Sequence, residues 1–191
     1  MANLLCASGN HASDLGVIWS RAHPDNPLIT WDDDPETGNP MPPDDLTGRI
    51  LIGNNSPAVR RFIAERYAHL RGTHPLVDPD AIVGPDVTLS RGTVVAPGAI
   101  LLHAVTLKCH VHVNYAVSMT RCYVGAYSTI SPGATICGNV RIGKECVIGA
   151  GAVICERTNI GDRVIVGAGA IVPPYSVVPD GTVVKGVWKN V

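Results

Sequence analysis

The stretch that decides the fold runs from Val124 to Val153 and reads VGAYST-ISPGAT-ICGNVR-IGKECV-IGAGAV when it is divided into units of six residues. Each unit opens with an aliphatic residue, and the pattern continues on both sides of this stretch. A short fixed period is typical of a solenoid, and a period of six predicts a parallel β-helix. The sixteen opening residues are Val83, Leu89, Val95, Leu101, Leu107, Val113, Val124, Ile130, Ile136, Ile142, Ile148, Ile154, Ile160, Val166, Val172 and Val178.

The fifth place of each unit is also small or slim, as at Ala99, Ala134 and Ala152. Two inward-facing places per unit fit a narrow prism with three sides, so three units make one coil of eighteen residues. The second place of a unit is often Gly or Pro, which predicts a tight turn at each corner. These second-place residues are Gly84, Gly125, Gly143, Gly149, Gly161, Gly167, Pro173 and Pro179.

The composition favours a thin β-helix over a β-sandwich, because 46% of the 191 residues are hydrophobic but only one is Phe. A formal net charge of -1 gives no basic field for binding nucleic acid or an anionic membrane. The chain has no apolar run of membrane-spanning length and no signal-peptide pattern at its start. We therefore expect a cytoplasmic protein whose partner is a small molecule.

The six cysteines form no CxxC pair, so we expect reduced thiols in a cytosolic chain. Cys137 and Cys155 are eighteen residues apart and should stack on neighbouring coils. A disulfide or a soft-metal pair at these two positions is an alternative to ordinary small wall residues, which the pattern favours.

Residues 1–73 differ from the repeat and predict a separate domain, with residues 74–191 forming the β-helix domain. Apolar runs alternate with amphipathic stretches, which indicates strands and helices around a small parallel sheet. Ser56 followed by Pro57 predicts the start of the second helix. We interpret this part as a truncated Rossmann-like domain.

Polar clusters follow each of the three predicted strands, at Ser8 to His11, Asp32 to Asp34 and Gly53 to Asn55. Ligands of such sheets lie at the carboxyl ends of the strands, so the three clusters should meet at one edge. Backbone N–H groups at a helix start suit a pyrophosphate, and carboxylates suit the donors of a base or ribose. The sequence thus predicts a nucleotide site there.

A small nucleotide-binding domain followed by hexapeptide coils resembles the bacterial sugar acyltransferase family of sialic-acid O-acetyltransferases and UDP-4-amino-sugar N-acetyltransferases. The stretches that carry the resemblance are Ala7-Ser8-Gly9-Asn10-His11, Trp31-Asp32-Asp33, Ile52-Gly53-Asn54-Asn55, Ser131-Pro132-Gly133-Ala134, Gly138-Asn139-Val140-Arg141-Ile142-Gly143 and Ile148-Gly149-Ala150-Gly151-Ala152. The resemblance implies a left-handed β-helix, a homotrimer, and acetyl-CoA as co-substrate in the groove between neighbouring prisms, with no metal.

The resemblance also implies site residues. Contacts to the sugar nucleotide fall on Gly9, Asn10, His11, Asp32, Asp33 and Gly53. Contacts to acetyl-CoA fall on Thr129, Gly138, Ala150 and Ala168. Where the family usually ends in Gly-x-Pro-Ala, this chain has Trp188, which either stacks on the adenine or packs on the last coil.

The catalytic histidine of the family has no counterpart at its usual place. Counting back from Cys122, Thr120 holds that place and Arg121 holds the place of its carboxylate partner. The repeat slips here as well, because Val113 and Val124 are eleven residues apart rather than twelve. Residues one coil apart stack at about 4.8 Å, so we expect His103 directly below Thr120, as a base or as a plain corner residue.

The missing histidine favours an amine over a hydroxyl as the acceptor, because a sugar amine is partly unprotonated at neutral pH. The first hypothesis is therefore acetyl-CoA-dependent N-acetylation of a UDP- or dTDP-linked amino sugar at the trimer interface. Asn114 would orient the amine or a water, and N–H groups near Gly138 would stabilise the oxyanion. The alternatives are O-acetylation with His103 as base, and a catalytically impaired sugar-nucleotide-binding partner protein.

A metal-dependent hydratase on the same kind of prism is a further alternative. It requires three converging histidines, and His103, His110 and His112 do not have the spacing for such a site.

Overall fold

The structure of the protein is a computed structural model that describes residues 3–7, 9–25, 28–32 and 47–189. The N-terminal part contains β1 (Asn3–Ala7), α1 (Gly9–Ala22), β2 (Leu28–Asp32), β3 (Arg49–Gly53), α2 (Pro57–Arg66) and β4 (Arg71–Gly72). Its four strands are parallel and lie in the order β2-β1-β3-β4. The three strands predicted from the sequence are present, and β4 is a fourth that the sequence did not indicate.

The two helices follow local signals in the sequence. The hydroxyl of Ser56 accepts a hydrogen bond from the Val59 N–H at 3.5 Å, and Pro57 is the first residue of α2, as predicted. In α1 the residues Leu15, Ile18 and Trp19 lie on one face because they are three and four positions apart, and all three are buried.

The rest of the chain is a parallel β-solenoid of about six turns, of the left-handed β-helix type. Its strands form three sheets, which we call the first, second and third faces. The first face contains β5 (Leu76–Val77), β8 (Val94–Val95), β11 (His112–Val113), β14 (Thr129–Ile130), β17 (Val147–Ile148), β20 (Ile165–Val166) and β23 (Val183–Val184). The second face contains β6 (Ile82–Val83), β9 (Ile100–Leu101), β12 (Ser118–Met119), β15 (Thr135–Ile136), β18 (Val153–Ile154) and β21 (Ile171–Val172). The third face contains β7 (Thr88–Leu89), β10 (Thr106–Leu107), β13 (Cys122–Val124), β16 (Val140–Ile142), β19 (Asn159–Ile160) and β22 (Val177–Val178).

The turns between the faces define three corners. The first corner links the first face to the second and includes residues 96–98, 114–116, 131–133, 149–151 and 167–169. The second corner links the second face to the third and includes residues 84–86, 102–104, 120–121, 137–139 and 155–157. The third corner leads back to the first face and includes residues 108–110, 125–127, 143–145 and 161–163.

The interior of the solenoid is the aliphatic column that the six-residue period predicts. Fourteen of the sixteen opening residues are buried, and Val83 and Leu89 in the lowest coils are half-buried against the same core. The fifth-place residues Ala99, Ala134 and Ala152 are completely buried as well. Small residues alternate with larger ones because a triangular coil leaves space for only two side chains on each side.

The second-place glycines are required for a reason other than the predicted turn conformation. The corner residues with positive φ stand later in the unit, for example Gly133, Asn139 and Gly151. A Cβ on Gly125 would lie 2.5 Å from the carbonyl carbon of Gly143 in the next coil. Glycine is therefore needed here because adjacent coils approach closely.

The N-terminal sheet packs on the lower part of the first face. Leu15, Ile18 and Trp19 of α1 form one buried cluster with Leu51 of β3 and with the outward side chains of the first face, Leu76, Val94 and Ala96. The ion pair between Arg21 and Asp80, at 2.6 Å, joins α1 to the lowest first-corner turn. β4 ends at Gly72 and β5 begins at Leu76.

Candidate functional site

The second corner holds four of the predicted site residues, His103, Thr120, Arg121 and Gly138. Their stacking differs from the prediction by one position. The Leu102 N–H donates to the carbonyl of Met119 and the Thr120 N–H donates to that of Ile136, so Thr120 lies directly above Leu102. The expectation that Thr120 stacks on His103 is therefore wrong.

The reason is the position of the slip in the repeat. Met119 is buried on β12 and takes the place of the opening aliphatic residue, so the residue lost from this coil lies in the corner after it. The Arg121 N–H donates to the carbonyl of His103 at 2.6 Å, and the Arg121 carbonyl accepts from the Asn139 N–H at 2.7 Å. Only Thr120 and Arg121, the latter with φ of 44°, span a corner where the coils on either side have three residues at 102–104 and 137–139.

His103 has a carboxylate neighbour that the sequence reasoning missed. Its Nδ1 lies 3.7 Å from Oδ1 of Asp86, in the same corner one coil below. The other oxygen, Oδ2, accepts a hydrogen bond from the Ala104 N–H at 3.0 Å. A sequence signal existed, since Asp86 and Ala104 are eighteen residues apart, one full coil.

The first corner holds Asn114, Ala150 and Ala168. The Asn114 side chain is largely buried, and its Nδ2 donates to the carbonyl of Ile130 at 3.1 Å. Ala150 and Ala168 are exposed at successive turns above it. The second face separates this corner from the one with His103 and Thr120, so one protomer does not bring Asn114 together with those residues.

The backbone around Gly138 differs from that of its neighbours in its hydrogen bonding. Hydrogen bonds of the described residues engage the N–H groups of Cys137 and Asn139 on either side of it, which donate to Ile154 and Arg121. The same set of bonds does not use the N–H of Gly138, and the space around its Cα is open. This N–H is therefore available to a ligand at the second corner.

The predicted nucleotide site lies at the carboxyl edge of the N-terminal sheet. Ala7 pairs with both Asp32 and Gly53, so the ends of the three strands meet at one edge. Gly9, Asn10 and His11 form the first turn of α1 rather than the turn that the sequence predicted. Asp33 lies outside the described residues.

This edge is fixed to the first corner and the first face. The Tyr115 hydroxyl donates to Oδ2 of Asp14 in α1 at 3.2 Å, directly beside Asn114. The Thr129 hydroxyl donates to the carbonyl of Asn55 at 3.0 Å, just after the end of β3. The carboxyl edge of the sheet and the first corner therefore lie side by side within one protomer.

The resemblance implies that Thr129 contacts acetyl-CoA, and it leaves Trp188 either stacking on the adenine or packing on the last coil. Thr129 is only 4% exposed, and the hydrogen bonds of its hydroxyl lead to the N-terminal part of the chain rather than to a groove. The Trp188 side chain packs against the core of the last coil, and the backbone N–H of Trp188 donates to the carbonyl of Ile171 at 2.8 Å. Of the two predicted arrangements, Trp188 therefore adopts packing on the last coil.

Five cysteine thiols of the solenoid are unpaired. Cys109, Cys122, Cys137, Cys146 and Cys155 are free. Burial raises the pKa of Cys122 to about 12 and that of Cys146 to about 11, which makes both unreactive.

The described ranges hold neither a cluster of metal-binding side chains nor a helix of membrane-spanning character. In these ranges, no three His, Cys, Asp or Glu side chains converge as metal ligands would. None of the described helices is both long and apolar enough to cross a bilayer.

Comparison with known proteins finds one sequence family that matches part of the solenoid. The sequence profile of bacterial transferase hexapeptide (six repeats) matches residues 121–156 and 139–174. No curated protein matches the chain at a significant level.

Solved structures resemble nearly the whole chain. The acetyltransferase domain of PglB from Neisseria gonorrhoeae FA1090 is 28% identical with a TM-score of 0.82, covering 95% of both chains. The same domain has also been solved in complex with acetyl coenzyme A, at 27% identity over 95% of this chain and 94% of that one, with a TM-score of 0.82. WeeI from Acinetobacter baumannii AYE is 22% identical over 97% of both chains with a TM-score of 0.82, a likeness of fold. The hexapeptide coils and these matches support the predicted resemblance to the bacterial sugar acyltransferases, and the chain carries bacterial transferase hexapeptide repeats between residues 121 and 174.

Proposed function

We propose that the protein is an acetyl-CoA-dependent N-acetyltransferase that acts on an amino sugar linked to UDP or dTDP. The observation that supports this proposal is the position of the candidate residues at two corners of the solenoid. The carboxyl edge of the N-terminal sheet lies beside the first corner, which holds Asn114, and the second corner holds Thr120 and Gly138. Acetyl coenzyme A is the ligand of the PglB domain that this chain resembles. Acetyl transfer is thus the chemistry that the resemblance favours.

The N-terminal part, residues 1–73, would hold the nucleotide as a Rossmann-like domain. Support comes from the parallel sheet and from α1, which begins two residues after β1 ends. The N–H groups of Gly9, Asn10 and His11 belong to the first turn of α1, where no carbonyl within the helix accepts them. A diphosphate fits such a helix start, and Asp32 and Gly53 end the neighbouring strands.

A homotrimer would complete the site. The outward side chains of the second face include exposed aliphatic residues, with Ile82 57%, Ile100 36% and Ile171 40% exposed. The third face instead presents Tyr123, Arg141 and Asn159. An apolar face beside a polar one favours contact between copies of the chain.

A three-fold axis parallel to the solenoid would keep equivalent coils at the same height. The first corner of one subunit would then meet the second corner of its neighbour. Asn114 and the nucleotide edge would come from one subunit, and His103, Thr120 and Gly138 from the next. Acetyl-CoA would lie in the groove between them, in contact with Gly138 of one subunit and Ala150 and Ala168 of the other.

The reaction would begin with direct attack of the sugar amine on the thioester carbonyl. Asn114 would orient the amine or a water, and the Gly138 N–H would donate to the oxyanion. An amine with a pKa near 8, as for an α-amino group, is partly unprotonated at neutral pH. This is why the absence of a histidine at Thr120 is compatible with N-acetylation.

O-acetylation of a sugar is the second candidate, and one observation favours it. His103 is exposed in the same corner as Thr120, where a base would be required to remove a hydroxyl proton. Replacement of His103 by Ala separates the two candidates. Nearly complete loss of transfer to a hydroxyl acceptor supports O-acetylation, and a partial loss with an amine acceptor supports N-acetylation.

The test is to incubate the protein with acetyl-CoA and a panel of UDP- and dTDP-linked amino sugars, together with hydroxyl analogues of the same sugars. Mass spectrometry should detect a gain of about 42 mass units, one acetyl group, on an amino sugar only. An Ala150→Trp variant, which obstructs the proposed groove, is the negative control. Acetylation of the hydroxyl analogues alone, or no release of free CoA thiol with any acceptor, would contradict the proposal.

A further inference from the structure

Asp86 and His103 form a histidine–carboxylate pair that is assembled from two coils. Oδ1 of Asp86 faces Nδ1 of His103 at 3.7 Å, while Oδ2 is held by the Ala104 N–H at 3.0 Å. Because one oxygen is fixed by the backbone, the carboxylate has a set orientation and the other oxygen faces the imidazole.

The pair contributes little to stability. The side chains of His103 and Asp86 are 68% and 50% exposed, and ion pairs this exposed to water add little to the stability of a fold. Its position is informative, since it lies in the second corner one coil below Thr120, which occupies the usual place of the catalytic histidine. The imidazole therefore lies in the same corner as the residue that replaces that histidine.

The shortened corner above also fixes the backbone of His103. Only Thr120 and Arg121 span that corner, and the Arg121 N–H donates to the His103 carbonyl at 2.6 Å. The backbone of His103 is thus held from above by Arg121, and its side chain faces Asp86 in the coil below.

We propose that Asp86 is a positioning residue that keeps His103 ready to accept the proton of the acceptor amine, an inference that rests on the proposed function. A proton on Nδ1 facing the carboxylate leaves Nε2 as the acceptor. The amine nitrogen forms a bond with the thioester carbonyl carbon, and the C–S bond then breaks. The amine proton passes to Nε2 of His103 and from there to the departing CoA thiolate, which gives the N-acetyl sugar and CoA.

The test is kinetic and uses Asp86→Asn in two backgrounds. The amide oxygen of Asn still accepts the Ala104 N–H, so the corner keeps its fold, but the charge that orients His103 is lost. We expect kcat to fall about tenfold or more, with the KM values for acetyl-CoA and the nucleotide sugar unchanged. In a His103→Ala background the same substitution should have no further effect, and Asp86→Glu should recover part of the rate.

Asp162→Asn is the matched control. Asp162 accepts the N–H of Lys144 at 3.0 Å across one coil, as Asp86 does with Ala104, but it lies in the third corner and faces no histidine. Its replacement should leave kcat unchanged. Added imidazole should also restore part of the rate of His103→Ala and none of that of Asp86→Asn, whose imidazole is present.

Three outcomes would overturn the inference. The first is a kcat for Asp86→Asn equal to that of the wild type. The second is the same fold-loss from Asp86→Asn with and without His103. In both cases the wild type still transfers acetyl, so the proposed function stands. The third is a wild type that transfers acetyl to no amine, which removes the proposed function together with this inference.

Discussion

Nη2 of Arg60 donates a hydrogen bond to Oγ1 of Thr129 at 2.9 Å, which joins α2 to the first face of the solenoid. The guanidinium is completely buried and also donates to the backbone carbonyls of Asn54, at 2.6 Å, His110, at 3.1 Å, and Tyr127. Burial lowers the pKa of Arg60 to about 9. One side chain thus holds the segment that follows β3 against two coils of the solenoid.

Replacement of Arg60 by Met should destabilise the protein markedly. Met preserves most of the volume but leaves three carbonyls and one hydroxyl without this donor. A buried group without its partner costs about 1 kcal/mol or more, and the part-buried carbonyls of Asn54 and Tyr127 cost less. We expect the free energy of unfolding, measured by urea denaturation, to fall by about 3 kcal/mol. Arg61→Met is the control, because Arg61 is exposed, its ion pairs with Glu65 and Glu145 are weak, and the loss should stay below about 1 kcal/mol. Equal losses in the two variants would contradict this role of Arg60.

His110 makes the stability of the protein dependent on pH. Burial, reinforced by the cations of Arg60 and Arg91, lowers its pKa to about 4 from the ordinary 6.5. The ring is stacked on Tyr127 with a centroid distance of 5.4 Å, and its Nδ1 is buried without a hydrogen-bond partner. The unfolded chain binds this proton at a higher pH than the folded chain does. The free energy of unfolding therefore has its full value above about pH 6.5 and falls as the pH decreases toward 4.

The size of this effect can be measured by urea denaturation at pH 7 and pH 4. The shift in pKa corresponds to a loss of about 3 kcal/mol over this range. His110→Asn should remove most of that loss, since Asn does not titrate and tolerates the φ of 57° at this position. His74→Asn is the control, because His74 is exposed, and it should retain the pH dependence of the wild type. A wild-type stability that is the same at both pH values would exclude the effect.

The fold of the solenoid was predictable because its core is a local pattern. An aliphatic residue every six positions identifies the inward side chains without any knowledge of long-range contacts, and these residues are buried. The slip was visible in the sequence but was assigned to the wrong place, because Met119 was not recognised as an opening residue. Recognition of Met119 would have placed Thr120 above Leu102 at once.

The contacts that assemble the site were less predictable. The link from Arg60 to Thr129 joins residues 69 positions apart through packing between two parts of the chain, and neither residue belongs to a motif. The approach of Asp86 to His103 depends on the geometry of the corner, since an offset of one coil allows the contact without requiring it. Local patterns therefore predict elements and faces, whereas side-chain partners between coils require coordinates.

Close packing between coils should make the stability of the protein far more sensitive to substitution at Gly125 than at Gly138. A Cβ on Gly125 would lie 2.5 Å from the backbone of Gly143, whereas nothing lies within 4 Å of a Cβ on Gly138. Gly125→Ala should therefore lower the free energy of unfolding by about 2 kcal/mol or more, because the backbone of the next coil must move. Gly138→Ala should change it by less than about 0.5 kcal/mol. Thermal or urea unfolding of the two variants tests this, and a destabilised Gly138→Ala beside an unaffected Gly125→Ala would contradict it.

Mixed trimers test whether each site is shared between two subunits. Gly138→Trp fills the proposed groove from the second corner, and Ala150→Trp fills it from the first. Each variant alone should form trimers that neither bind nor consume acetyl-CoA. The two variants can be co-expressed with different tags, and the mixed trimers can be isolated through both tags. In a cyclic mixed trimer, one of the three interfaces contains neither Trp. Such trimers should regain about one third of the wild-type rate.

The one-third recovery depends on the direction of the interface. In a trimer with two subunits of one variant and one of the other, only one of the three interfaces combines the intact first corner of Gly138→Trp with the intact second corner of Ala150→Trp. A site built within a single subunit would always contain one of the two Trp side chains, so the mixed trimers would remain inactive. Wild-type trimers that carry both tags serve as the reference rate, and trimers in which one variant carries both tags give the background. A rate at that background would show that Gly138 and Ala150 do not face each other across subunits.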